Sequence, residues 1–257
     1  MPIRLKTPQQ IESMRRAGAL AAQILAEVAA AVEPGMTTAD LDGAVAVRLA
    51  RAGATSTAKG YPTYTPGRGF PGYCCTSVNE EVLHAPPGSR VLRSGDVLTL
   101  DLTLRLGGYC ASRAITVPVG LVDAEQQRLL RVTEETLALA VSQIVPGRAW
   151  SEVARQIQQH VESNGYNVVR EFVGHGIGTV PLEDPKVPNF VGPAPFRGDF
   201  ILRPGMTFTV EPMILSGRRD VALLEDGWTV VAEDGMPSAH VRHTVAVTTS
   251  GADVLTR

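Results

Sequence analysis

Two stretches of this 257-residue chain repeat one arrangement, and the repetition limits the folds open to it. Gly95-Asp96-Val97-Leu98-Thr99-Leu100-Asp101-Leu102-Thr103-Leu104 alternates like a strand and follows Leu92-Arg93-Ser94. Pro204-Gly205-Met206-Thr207-Phe208-Thr209-Val210-Glu211-Pro212-Met213 does the same after Leu202-Arg203. Each holds one carboxylate in mid-strand. A charge among Leu, Val and Phe is costly unless something compensates it. Two acids at equivalent places therefore predict a shared site, and whatever neutralises them defines its chemistry.

The segments around these strands also repeat. Thr7-Pro8-Gln9-Gln10 opens a helix with a capping box and Pro at the first helical position. Ile11, Met14, Ala17, Ala21, Leu25 and Val28 keep helical spacing up to Pro34-Gly35. Thr37 and Asp40 cap a second helix that ends at Gly53, and Thr55–Gly72 reads as a loop without regular structure. A strand is expected over Cys74–Leu83, then a turn at Pro86-Pro87-Gly88. In the second half Asp123 caps a helix running from Ala124 to Ile144, closed by Pro146-Gly147. Ser151 caps another ending at Gly165, and a strand follows over Val168–Val173. The pattern predicts an α+β chain, residues 1–257 as a single domain. Its two pseudo-symmetric helix-helix-strand halves run from about 8 to 118 and from 124 to 250.

Composition narrows the partners. A net charge of −2 argues against nucleic acid or an anionic membrane. No apolar run has the length of a bilayer span. Met1-Pro2-Ile3-Arg4-Leu5-Lys6 lacks a signal peptide's apolar core, and Cys74, Cys75 and Cys110 make a poor disulfide framework. A cytoplasmic location is expected. Oligomeric state is not legible.

At Asn79-Glu80-Glu81-Val82-Leu83-His84, Gly174-His175-Gly176-Ile177-Gly178 and Thr207–Met213 the chain resembles the type I methionine aminopeptidases. The resemblance runs from Lys6-Thr7-Pro8 to Val247-Thr248. It implies the pita-bread fold of aminopeptidases, prolidases and creatinase, built on a curved antiparallel sheet. It also implies two divalent metals on two aspartates, a histidine and two glutamates, assisted by two further histidines. Carried over by position, these are Asp101, His175 and Glu211, with His84 assisting. Ser112 stands at the second aspartate, Arg242 at the second glutamate and Leu182 at the other assisting histidine. The resemblance further places Cys75, Phe70 and Trp228 at the substrate pocket, with Arg68 where a histidine is expected.

Charge counting follows from these changes. Asp101 and Glu211 supply −2, Arg242 supplies +1, and a protonated His175 would bring the site to neutrality without metal. A guanidinium repels divalent cations, and its fork suits a carboxylate. The sequence therefore predicts no metal and no cofactor, with His84, Glu211, Asp101 and His175 as catalytic residues. Cys75, Phe70, Arg68, Trp228, Arg242, Ser112 and Leu182 would contact a small-molecule or peptide-like substrate. Three functional readings stay open: a metal-independent acid–base enzyme, a catalytically inactive binding protein, and an aminopeptidase with a single metal. Cys110 and His240 bear on the third, since each lies two residues before a lost ligand and on the same strand face. His175 admits either a ligand-facing role or that of a core histidine bonded to a carbonyl.

Overall fold

The structure is a computed structural model that describes residues 2–62, 69–192 and 198–257. Helix α1, Pro8–Ala29, begins where Thr7 accepts from the Gln10 amide and Gln10 returns the bond to Thr7. It stops five residues short of the expected Pro34. Residues beyond it have backbone partners elsewhere: Gly35 N–H donates to Leu92 and Leu92 N–H to Met36. Helix α2, Thr38–Arg51, starts with the Thr37–Asp40 capping box and is followed by Gly53 at φ +64°.

The strands of the first half are β1 (Thr55–Ser56), β2 (Cys75–Val78), β3 (Glu81–Leu83), β4 (Val97–Leu106) and β5 (Tyr109–Pro118). Strand β1 pairs with β4, so the expected loop begins with regular structure. The expected strand Cys74–Leu83 is broken in two, because Asn79 takes a left-handed conformation at φ +56° and its side chain bonds to Val97 and Asp96. Strands β4 and β5 form a hairpin through Gly107 and Gly108, both at positive φ. That conformation suits the right-handed twist of a two-residue turn.

The second half repeats the order with α3 (Ala124–Ser142), α4 (Trp150–Ser163), β6 (Asn167–Val168), β7 (Gly174–Gly176) and β8 (Glu183–Val187). These are followed by β9 (Thr207–Val210), β10 (Met213–Leu215), β11 (Val221–Leu223), β12 (Val230–Ala232), β13 (Ser238–His240), β14 (His243–Val247) and β15 (Ala252–Val254). Asp123 caps α3 as expected. The cap position of α4 is Ala149, not Ser151, whose hydroxyl donates to Asp199 instead. The strand expected over Val168–Val173 stops at Val168, after which Val169 N–H donates to Met213. Glu211 lies just past the end of β9, so only Asp101 is truly mid-strand.

All strand pairs are antiparallel. One sheet has the order β1-β4-β2 with β5 on β4, and another β15-β14-β9-β7-β8. The two halves meet between β5 and residues 240–244. Arg242 N–H donates to Ala114 at 2.9 Å, and the hydroxyls of Thr116 and Thr244 bond to backbone groups of His240 and Ser112. Helices α1 and α2 bury Leu25, Leu41 and Val45 against Leu98, Leu100 and Leu102 of β4. In the second half Trp150 packs on Phe200 and Phe208 and donates its indole N–H to Pro188. Among the described residues no helix is long and apolar enough to cross a membrane.

Helix α1 lies so close to the C-terminal segment that a Cβ on Gly18 would stand 2.0 Å from the Leu255 carbonyl oxygen. Ala exceeds Gly in helix propensity by about 1 kcal/mol, whereas overpacking against rigid backbone costs about 1–3 kcal/mol. Gly18→Ala is therefore expected to lower the melting temperature, by roughly 2–4 °C for each kcal/mol lost. A variant melting at or above the wild type would show that α1 shifts away from Leu255 without cost.

Candidate functional site

Asp101 is carried by the central strand β4, opposite Cys75 of β2 and Ala114 of β5. Glu211 is carried from the other half by the end of β9, where Asn189 binds its carbonyl at 2.8 Å. Both acids are almost fully buried, and Arg242 lies between them. Its Nη1 donates to Asp101 Oδ1 at 2.5 Å and to Ser112 Oγ at 2.8 Å. Its Nε donates to Glu211 Oε2 at 2.8 Å, and Nη2 donates to the same oxygen. The fork is thus split between the two acids instead of gripping both oxygens of one carboxylate. Thr209, two residues before Glu211 on the same strand face, donates to its Oε1 at 2.5 Å.

Burial by itself would push the Glu211 carboxyl up, but the neighbouring guanidinium and imidazoles hold it well below the carboxylate range. Burial also opposes the charge on Arg242, yet Asp101 and Glu211 keep it protonated. His175 does not supply the charge the sequence suggested. Desolvation pushes its pKa down, so near neutral pH it is uncharged. Its Nδ1 meets the Gly176 carbonyl at 3.0 Å and its Nε2 stands 3.8 Å from Glu211 Oε1. It is both a carbonyl-bonded histidine and a cavity residue. The flanking glycines serve the sheet, since a Cβ on Gly174 would meet Thr209 and one on Gly176 would meet Asp184.

These groups sit at a cavity of about 340 Å³. His84, His175, Asp101, Glu211 and Arg242 line it together with Cys75, Phe70, Trp228, Leu182 and Pro181. Phe70 and Trp228 form an edge-to-face pair with centroids 5.1 Å apart. His84 sits edge-on to Phe172 in a left-handed backbone conformation at φ +61°, and burial lowers its pKa to about 4. Burial raises the Cys75 thiol well above its usual range, leaving it a neutral wall group. Leu182 is half exposed. The sequence reading missed Phe172, Tyr61 and Thr57 of the lining. No periodicity marks them.

Several expected residues fall elsewhere. Ser112, expected at the substrate pocket, is wholly buried, held by Arg242 and Thr103, and is not part of the cavity lining. Arg68 lies outside the described residues. Cys110 packs against Met14, Ile177 and Leu255, with its thiol toward Thr179. Two residues along a strand displace a side chain by about 6.5 Å even on the same face. His240 does reach the site, with Nε2 at 3.7 Å from Glu211 Oε2. Among the described residues, however, no cluster of three or more His, Cys, Asp or Glu side chains is arranged to hold a metal ion. A two-metal centre does not fit this donor set either. The guanidinium fills the space between the acids, and Ser112 offers one neutral hydroxyl already bonded to Thr103 and Arg242.

Removing the guanidinium leaves two buried carboxylates unpaired, which costs about 3–5 kcal/mol. Arg242→Met should therefore unfold at markedly lower denaturant than wild type. The buried histidines give a second expectation. The folded pKa of His84, about 4, lies below that of an unfolded histidine, and His175 shifts the same way. Between about pH 4 and 6.5 the unfolded chain binds more protons, so stability falls as pH falls and is fully present above 6.5. Urea melts across this range should show that slope. His84→Asn, which tolerates the left-handed backbone, should make it shallower, and an unchanged slope would count against a neutral buried His84.

The profile of metallopeptidase family M24 matches residues 12–249. Methionine aminopeptidase 1 of Bacillus subtilis is 42% identical over 252 residues, 98% of each chain. Methionine aminopeptidase of Escherichia coli K12 is 37% identical over 258 residues, 100% of this chain and 94% of its own. The crystal structure of methionine aminopeptidase from Thermotoga maritima superposes with a TM-score of 0.93 at 39% identity, covering 100% of both chains. The prolidase from Pyrococcus furiosus shares the fold alone, at 18% identity and a TM-score of 0.76 over 98% of this chain and 65% of that one. The architecture is the pita-bread fold. These relatives overturn the expectation of a metal-independent enzyme or a catalytically inactive binding protein. Three altered polar positions suggested it, and they are outweighed by identity that extends over essentially the whole chain to proteins named aminopeptidases. The chain belongs to metallopeptidase family M24.

Proposed function

We propose that the protein is an aminopeptidase of the methionine aminopeptidase type, acting on the first residue of a peptide. The observation that carries this reading is the cavity itself, whose lining combines apolar and aromatic side chains with two acids. Phe70, Cys75, Trp228 and Phe172 offer the contact surface for an unbranched apolar side chain. Asp101 and Glu211 are placed to orient the polar backbone end of that residue. Such an amphipathic pocket orders the scissile bond between a buried side chain and fixed charges, which lowers the entropy cost of reaching the transition state.

His84 is the residue placed to move a proton. It is uncharged near neutral pH and lines the same cavity as the two acids. A neutral imidazole can take a proton from a water molecule attacking the scissile carbonyl and return it to the amine as the C–N bond breaks. Leu182 and Pro181 sit in the lining, where residues beyond the first would pass. The donor set described above does not fit a metal pair.

The reading is tested by incubating the purified protein, with its metal content measured, with Met-Ala-Ser and the acetylated peptide. Release of free methionine from the first alone is the expected result. Absence of release from any peptide with Met, Leu or norleucine in front would refute the reading. His84→Asn should lower kcat/KM by roughly 100- to 10,000-fold while the fold is retained. A rate equal to wild type would take the proton-transfer role away from His84.

A further inference from the structure

The Asp101–Arg242–Glu211 cluster differs from a metal centre in a way that bears on what it binds. Arg242 consumes Asp101 Oδ1 and Glu211 Oε2, and Thr209 consumes Glu211 Oε1. No described residue donates a hydrogen bond to the remaining oxygen, Asp101 Oδ2, and Asp101 lines the cavity. Two carboxylates against one guanidinium leave a single negative charge. Ser112 adds a hydroxyl that is already engaged with Thr103 and Arg242.

We infer that Arg242 is the resident counter-cation of Asp101 and Glu211, and that the charge left over on Asp101 holds one ammonium group of the ligand in preference to a pair of divalent ions. The reason is electrostatic. A divalent ion between the acids would stand within a few ångströms of the guanidinium, where like charges repel strongly in a buried site. A primary ammonium brings one positive charge and three donors, which matches one free carboxylate oxygen in the presence of Arg242. The inference deepens the aminopeptidase reading by naming what its acids contact.

The test is calorimetry on the full chain after dialysis against chelator. Methioninamide, with a free ammonium, should bind at least about tenfold more tightly than N-acetylmethioninamide, the lower end of what a charge-assisted hydrogen bond is worth. In a second titration with manganese chloride alone, wild type should bind at least about tenfold more weakly than Ser112→Asp/Arg242→Glu. Changing the guanidinium to a carboxylate reverses a charge at close range, which is worth more than that factor. Equal binding of the free and acetylated amides would overturn the inference while leaving the peptidase reading intact, since that reading rests on methionine release. Binding of neither amide would overturn the inference as well. If the double variant does not fold, the wild type alone decides. Uptake of two manganese ions per chain would sink the proposal, and uptake well below one would support it.

Discussion

The contact between Arg242 and the acids Asp101 and Glu211 is what the two halves of the molecule converge on. The acids come from different halves, one from β4 and one from the end of β9, and neither would be tolerated in its apolar surroundings alone. The same arginine is also a backbone element of the seam, exchanging hydrogen bonds with Ala114 of β5. Its main chain therefore joins the halves and its side chain offsets one of the two negative charges they bring together. Thr116 and Thr244 extend the seam with hydroxyls that act as backbone partners.

This arrangement makes charge and architecture inseparable at the cavity. The imidazoles of His84 and His175 are neutral near pH 7 because desolvation outweighs the pull of Asp101 and Glu211. Glu211 stays ionised because the guanidinium and neighbouring imidazoles outweigh its burial. A site with fixed negative charge and neutral bases is suited to orienting a polar ligand and accepting a proton from it. Phe70, Trp228 and Cys75 add apolar surface to the same lining.

Membership of a metallopeptidase family and a donor set that excludes a metal pair stand side by side in this chain. The likeness to methionine aminopeptidases extends over essentially the whole chain in sequence and in fold. Ser112 and Arg242 are both hydrogen-bonded into this centre, Ser112 to Thr103 and to Arg242, and the guanidinium to both acids. Whole-chain similarity and the identity of a few polar groups report on different things. The first reflects the packed core, the second the ions and ligands that the core can place.

Local physics in the sequence determined the helices that begin with Thr7, Thr37 and Asp123, the hairpin strands around Asp101, and the duplicated order of the elements. Capping boxes and strict alternation are short-range signals, so a reading along the chain captures them. That Asp101 and Glu211 need a partner was legible because buried charges demand one, and the family resemblance put Arg242 at their site. Only the tertiary structure decided that α1 stops at Ala29, that Asn79 breaks a strand, and that Ser112 faces away from the cavity. It also decided that Cys110 packs behind the sheet and that His175 is neutral. Each of these depends on which distant backbone or charge lies opposite, and spacing along the chain does not encode that.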